Sequence, residues 1–535
     1  MQLRAHQKTV SGVVEGIIGG SGVRDIVAHV TPGGGKSTLP IQAGQLITAG
    51  LADKICWIAP RMSLQDQAER NFTDPRFREL FNHRLTIRTA TNDHNPSRGL
   101  NGFVSTYQAL AVDDQKTVLR DFERYRYILV LDEFHHLEAE GEWTAPIKEL
   151  YDRAAYRVLM TGTLARGDER RIAFVPYREY YIGDFAPCFD DKKDTALITY
   201  TRKDALADQA IIPLEFHFAD GVAEWRKESG KLRNDKISSG QGDANQALYT
   251  ALNTEYAEEL LVQGVDHWQK HIMGEFRPRK TIITSHRLLV VAASIKNAEE
   301  YTAILKRKGL HAEIATSDDT KGAVRNINAL KAGRLRILVT VAMAYEGLDC
   351  PSISHIICLT NTRSLPWIEQ MVARAVRIDP QAGPYESQRG YIFAPADRMF
   401  TEIAAQIEAD QCQAVAKVKA PGAQGNLFGD GEGGGGRPGI TPLSSRLLHG
   451  QQIPFAYHNQ DTATPIRTQR EIEDELRREV DRHVKTFCRV YNVRFEHLNA
   501  DLKKRFGKAR ELMTVAELEE LKRHLAVDYT LQKAG

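Results

Sequence analysis

The stretch Val30-Thr31-Pro32-Gly33-Gly34-Gly35-Lys36-Ser37-Thr38 governs how the rest of this chain is read. It follows a short apolar run, Asp25–Val30, and opens a helical stretch. Three consecutive glycines let backbone N–H groups approach phosphate oxygens, and a helix N-terminus adds partial positive charge. A lysine beyond such a turn reaches β- and γ-phosphates, and a following hydroxyl suits Mg²⁺. Pro32, Gly33, Gly34, Gly35, Lys36, Ser37 and Thr38 are therefore expected to bind ATP, although Val30 stands where the full GxxxxGK[ST] pattern has its first glycine.

A strand feeding a phosphate loop and a helix begins a parallel α/β sheet, so more buried strands should follow. Lys54–Ala59, Tyr127–Leu131 and Arg157–Met160 have the right composition, with room between them for crossover helices. Directly after Tyr127–Leu131 comes Asp132-Glu133-Phe134-His135-His136. A carboxylate at the tip of a buried parallel strand can hold the Mg²⁺ shell, here Asp132 together with Ser37. The adjacent Glu133 can polarise an attacking water. His135 and His136 are neighbours, so their rings diverge and make a poor zinc pair.

The next stretch, 185–275, is more polar. Asp204–Ile211 and Leu248–His271 read as helices, and Lys231–Asp243 as an exposed loop. Strand candidates return at Thr281–Thr284, Arg336–Val341, His355–Leu359 and Gly390–Phe393, giving a second α/β unit. The glycines from Gly422 to Gly439 are too dense for a packed element and read as a flexible linker. Beyond them Thr468–Tyr491 and Asn499–Leu525 are helical and charge-rich, with Thr514 and Glu517 spaced for a capping box.

With both motifs in hand, Asp132-Glu133-Phe134-His135 resembles the DExH box of superfamily-two helicases, and that family's other motifs follow in order. Leu3-Arg4-Ala5-His6-Gln7 is similar to the leader that reads adenine, with Arg4 and Gln7 as its polar residues. Ala59-Pro60-Arg61 and Ser105-Thr106-Tyr107-Gln108 resemble strand-contacting motifs. Thr161-Gly162-Thr163 resembles the element that couples hydrolysis to motion, a role the resemblance extends to His135. Lys280–Ser285 resembles the fourth motif and Val341–Asp349 the fifth. Gln370-Met371-Val372-Ala373-Arg374-Ala375-Val376-Arg377 resembles QxxGRxxR, the sixth. Ala373 departs from its glycine, and Val341 stands where many relatives have threonine, with Thr340 beside it.

The resemblance covers roughly residues 1–400 and implies an α/β fold of two tandem RecA-like parallel-sheet domains. The expected division is 1–182 for the ATP-binding domain, 183–274 for a helical linker or insertion, and 275–410 for the second domain. A glycine-rich linker (420–440) and a small α-helical C-terminal module (441–535), with a DNA-binding role in view, complete it. By carry-over, Lys36, Asp132, Glu133, Gln370, Arg374 and Arg377 would serve hydrolysis, and Gly347 and Asp349 would contact ATP. Pro60, Arg61, Thr106, Ser285 and Thr340 would contact nucleic acid. Tyr345-Glu346-Gly347-Leu348-Asp349-Cys350-Pro351 and the paired histidines look most similar to helicases of the type III restriction-subunit kind, which implies double-stranded or forked DNA as the track.

Composition constrains the partners only weakly. The 535 residues carry 71 Lys+Arg against 69 Asp+Glu, a net charge of +2, so any nucleic-acid contact must come from local patches. One candidate is the turn holding Lys503, Lys504, Arg505, Lys508 and Arg510. Six cysteines without a CxxC pair suggest neither zinc ribbon nor redox motif. No signal peptide and no apolar run of ~20 residues is seen, so no membrane partner is expected, and the chain reads as soluble and cytoplasmic. With the core starting at residue 3 and no nuclease pattern near the end, restriction cleavage by this chain is not expected.

The expected activity is that of an ATP- and Mg²⁺-dependent DNA helicase or translocase. The alternatives are an RNA helicase or remodeller, and a non-catalytic ATP-sensing DNA-binding subunit of a defence or replication complex. Protein partners from a phage, plasmid or defence system belong with these readings.

Overall fold

The structure is a computed structural model. It describes residues 3–90, 95–112, 116–164, 170–181, 184–239, 244–275, 282–341, 348, 350–408, 418–419, 440–448, 451–453, 469–491, 493–510 and 513–529. The glycine-rich linker, most of the fifth motif with Gly347 and Asp349, and Lys280–Thr281 of the fourth lie outside these residues.

Two seven-stranded sheets organise the chain. In spatial order the first runs Ile87–Thr89, Gly102–Thr106, Lys54–Ala59, Tyr127–Asp132, Tyr156–Thr161, Asp25–Val30, Thr195–Tyr200. Every pairing in it is parallel. Parallel pairing puts all C-terminal strand ends on one edge, and helices on both faces keep the strands buried. Ile128, Leu129, Val130 and Leu131 are fully buried, as the unbroken apolar run requires.

The second sheet runs Ala312–Ala315, Ile337–Val341, Arg287–Ala292, Ile353–Leu359, Gly390–Pro395, Leu214–Ala219, Gln451–Ile453. It is parallel except for its last strand, which pairs antiparallel. Two parallel α/β units in tandem are thus the fold class expected.

Three expectations are corrected. The expected strand at Thr281–Thr284 is absent from its described residues, 282–284; the strand is Arg287–Ala292, whose Leu-Leu-Val-Val core is longer and wholly buried. Residues 183–274 are not mainly helical. Thr195–Tyr200 completes the first sheet and Leu214–Ala219 enters the second, while Gly221–Lys227 pairs with Leu232–Lys236 inside the expected loop. The stretch Leu248–His271, expected to be helical, is so, as parts of the two helices Ala244–Leu252 and Glu255–Ile272. Finally, Ile440–Leu447 and Gln451–Ile453 are strands that return to the second half, so the C-terminal segment is not all-helical.

Three helices, Gln469–Val490, Phe495–Phe506 and Val515–Asp528, form the C-terminal bundle around Val484, Leu498, Leu502, Leu521 and Leu525. Its first helix packs against Ile87–Thr89, the outer strand of the first sheet. An otherwise open sheet edge is covered there. No described helix is long and apolar enough to cross a membrane.

Candidate active site

Strand order explains why distant motifs meet. Asp25–Val30 and Tyr127–Asp132 flank Tyr156–Thr161, all pointing the same way. The glycine loop, the acidic pair and Thr161-Gly162-Thr163 therefore emerge side by side. Gly33 and Gly35 hold φ of 87° and 93°, which only glycine adopts without cost. A Cβ on Gly34 would stand 2.7 Å from Val30 Cγ1 and 2.8 Å from the Thr31 carbonyl. Lys36–Thr38 then turns into the short helix Leu39–Ala43.

Lys36 Nζ donates to Glu133 Oε1, and Gly162 N donates to Glu133 Oε2 at 3.0 Å. Glu133 has φ 47° and ψ 47°, left-handed geometry that is strained for a residue with a side chain. The bonds from Lys36 and Gly162 hold it there. Burial alone would raise the Glu133 pKa, but Lys36 and then His135 outweigh it and keep the carboxyl well below its ordinary range. Burial and then Glu133 push Asp132 the other way, up to about 7. Two adjacent carboxyls thus sit in opposite conditions.

A hydrogen-bond chain leads away from Glu133. His135 Nδ1 lies 3.4 Å from Glu133 Oε2 and 2.8 Å from Thr161 Oγ1. Thr161 Oγ1 donates its single proton to the Thr163 carbonyl at 2.6 Å, so it must accept from the ring. Nδ1 therefore carries hydrogen, and Nε2 is left to accept from Gln370 Nε2 at 3.4 Å. Gln370 sits on Leu365–Val372 of the second half. The sixth motif and the acidic box thus touch.

The leader reaches the backbone of the glycine loop. Arg4 Nη1 donates to the Gly33 carbonyl at 3.2 Å, while Gln7 Nε2 donates to the Gly35 carbonyl at 3.1 Å and Thr38 Oγ1 at 2.9 Å. A Cβ on Gly33 would lie 3.8 Å from Arg377 Nε, which places that arginine beside the loop. Arg374 Nη1 donates to the Leu348 carbonyl at 3.4 Å.

Of the expected nucleic-acid contacts, Pro60 and Thr106 emerge side by side, because Ala59 pairs with Thr106 on the neighbouring parallel strand. Arg61 begins the helix Met62–Thr73, next to Pro60. Thr106 is buried and its Oγ1 accepts from Ala109 N at 3.1 Å. Ser285 and Thr340 lie inside the protein, and Thr340 Oγ1 donates to the Ala315 carbonyl at 2.9 Å. Lys503, Lys504 and Arg505 are exposed at the end of Phe495–Phe506, far along the chain from the motor motifs. The rest of that basic turn is neutralised: Lys508 pairs with Glu517, and Arg510 Nη1 lies 2.7 Å from Asp481 Oδ1.

Sequence reasoning missed His29. It sits on Asp25–Val30, hydrogen-bonds to the Gly162 backbone and faces Lys36 and Glu133, with burial lowering its pKa. Its signal was a lone imidazole in an apolar run, Asp-Ile-Val-Ala-His-Val.

The residues fit a nucleotide with Mg²⁺. Open backbone at three glycines suits phosphates, and Asp132 is a half-buried carboxyl that burial and then Glu133 hold back from ionising. No group of three His, Cys, Asp or Glu side chains among the described residues could cage a metal. That suits an ion held by one or two protein oxygens together with phosphate oxygens.

Residues 1–166 match the family "Type III restriction enzyme, res subunit", and residues 272–379 match "Helicase conserved C-terminal domain". Over these two stretches the chain is similar to superfamily-two helicase cores of the restriction-subunit type, and such domains imply a nucleotide-hydrolysing helicase. Among relatives, "Uncharacterized protein Rv2917" of Mycobacterium tuberculosis is 25% identical over 473 residues, 85% of this chain and 73% of its own. The UvrABC system protein B of Tropheryma whipplei is 33% identical over 112 residues, 20% of this chain and 16% of its own. The helicase Lhr of Mycobacterium smegmatis, solved with ssDNA and AMP-PNP, aligns with TM-score 0.47 and 14% identity over 77% of this chain. The chain spans 49% of that helicase's length.

Proposed function

We propose that this protein couples ATP hydrolysis to movement on, or unwinding of, duplex or forked DNA. The observation that carries the reading is the cluster Lys36–Glu133–Gly162–His135–Gln370, which joins the phosphate loop, the acidic box and the sixth motif across both halves.

Gly33, Gly34 and Gly35 would present backbone N–H groups to the phosphates, with Lys36 released from Glu133 to reach the terminal ones. Ser37 and Asp132 would hold Mg²⁺, which when bound draws charge from the phosphate oxygens. Glu133, freed of Lys36, accepts the proton of the attacking water. Arg374 and Arg377 face the charge that spreads over the transferred phosphoryl group. Gln370 reports on Glu133 through His135, so grip in the second half and chemistry in the first depend on each other. The restriction-subunit character of the core supports DNA as the track.

The test is ATP turnover with duplex DNA, single-stranded DNA or RNA added in turn. Duplex DNA should stimulate the wild type most, and Glu133→Gln should lose at least about a hundredfold of the stimulated rate, as loss of a general base implies. An active Glu133→Gln protein would sink the mechanism. Stimulation by RNA alone would overturn the DNA reading.

A further inference from the structure

The C-terminal bundle carries a groove of about 500 Å³ lined by Arg477, Arg478, Val480, Asp481, Arg482, Lys485, Arg510 and Leu518. Five cations against one carboxylate leave +5 − 1 = +4 on a single concavity, in a chain whose total is only +2. The lining residues have two different tasks. Arg477 donates to the carbonyls of Arg510 at 2.7 Å and Met513 at 3.0 Å, so it ties the first helix to the loop before the third. Arg510 lies 2.7 Å from Asp481. These contacts build the walls, and Lys485, 3.7 Å from the same carboxylate, stands at their exposed rim.

Arg478, Arg482 and Lys485 are exposed and spaced i, i+4, i+7, which aligns them along one stripe of Gln469–Val490. At 1.5 Å per residue the stripe is about 10 Å long. Consecutive phosphates along one winding strand stand farther apart than the ~3.4 Å axial rise per nucleotide, so the stripe faces about two of them. Guanidinium groups bind phosphate oxygens in pairs, which favours a phosphodiester chain over a hydrated point anion.

Resting on the proposed motor function, we infer that this groove binds the sugar–phosphate backbone of the DNA on which the motor acts. Its helix packs against Ile87–Thr89 of the first sheet, and a Cβ on Gly99 would meet Thr514 Cγ2 at 3.3 Å. A backbone held here is therefore held by the half of the protein that carries the phosphate loop. The groove differs from the Lys503–Arg505 cluster, which lies at the end of another helix.

The test uses the full chain and a fluorescent DNA duplex, with binding measured by anisotropy over a salt series. Each lost phosphate contact lowers the slope of log K against log[salt] by ~0.9 for duplex DNA. Arg478→Gln/Arg482→Gln should lower the slope by about 1.8 while circular dichroism and melting stay as in the wild type. Lys503→Gln/Lys504→Gln serves as the competing pair and should lower it less. A wild type that binds duplex with an unchanged slope in the Arg478/Arg482 variant overturns the groove alone. The same holds if only the Lys503/Lys504 variant changes. A wild type that does not bind duplex at all overturns both the groove and the motor on which it rests.

Discussion

Glu133 shows how much a single residue can be asked to do. Its backbone is left-handed, its carboxylate is shared between Lys36 and Gly162, and its neighbour Asp132 is half-buried beside it. Such geometry survives only where the surroundings fix it, and here they are Lys36, at the end of the glycine loop, and the Gly162 N–H. Gly34 is the tightest glycine of that loop, since a methyl group there would press on the Val30 side chain and the Thr31 carbonyl. The carbonyl cannot move without breaking the turn bond it accepts from Gly34 N at 2.8 Å. Gly34→Ala should therefore destabilise the first half by about 1–3 kcal/mol, the usual effect of overpacking. Calorimetry should show that half's transition falling by several degrees. Gly12, inside the helix Ala5–Ile18 and with nothing within 4 Å of an added Cβ, is the matched control and should keep or raise melting on conversion to alanine, because alanine is the better helix former.

At the level of elements, the helix Glu255–Ile272 buries an imidazole cluster against the second sheet. His267 Nδ1 lies 2.9 Å from His355 Nε2, His271 stacks on His286, and His217 stacks on Phe393. Glu215 lies 2.9 Å from His217, and Lys270 stands near His267. Burial, then His217, lowers the His267 pKa to about 4. Burial, then the neighbouring rings, lowers His355 well below 6.5. As pH falls below 6.5 the unfolded chain takes up protons that the folded one refuses. This stability is thus fully present above pH 6.5 and is lost as pH drops toward 4, at up to about 1.4 kcal/mol per pH unit for each such histidine. Melting of the second half should fall steadily from pH 7 to pH 5, and His267→Gln should flatten the dependence. A melting temperature that is level over that range would refute it.

The same helix shows what sequence could and could not disclose. Four of the motif-bearing strands were legible because each is an apolar run ending at a motif, as Tyr127–Asp132 ends at the acidic box. Thr195–Tyr200 and Leu214–Ala219 were not, because their alternating polar residues suit a strand near a sheet edge and mimic a linker. The capping box at Thr514 was legible, since Thr514 N donates to Glu517 Oε2 at 2.8 Å. The pairing of Arg510 with Asp481 was not, because only folding brings those helices together.

Across the whole molecule, the two sheets supply different parts of one site. Lys36 and Glu133 come from the first, whereas Gln370, Arg374 and Arg377 come from the second, 230 or more positions later in the chain. Arg377 already stands beside Gly33, and Gln370 already reaches His135. A shift of one half against the other would therefore break the relay to Glu133 and withdraw both arginines together, which is how a motor can make chemistry conditional on grip. The proposed roles predict separable defects. Arg377→Ala should lower the DNA-stimulated rate by about 10³-fold or more, the range for an arginine that stabilises phosphoryl transfer. Gln370→Ala removes no charge from the phosphates and should spare nucleotide binding. It should lower the ratio of DNA-stimulated to unstimulated turnover, because only the link through His135 is cut. ATP turnover at saturating nucleotide, with and without duplex DNA, reads both variants. If Gln370→Ala loses rate equally with and without DNA, the glutamine serves the reaction directly and the relay is wrong. If Arg377→Ala loses less than about tenfold, well short of the arginine-finger range, the second half does not supply the charge that hydrolysis needs.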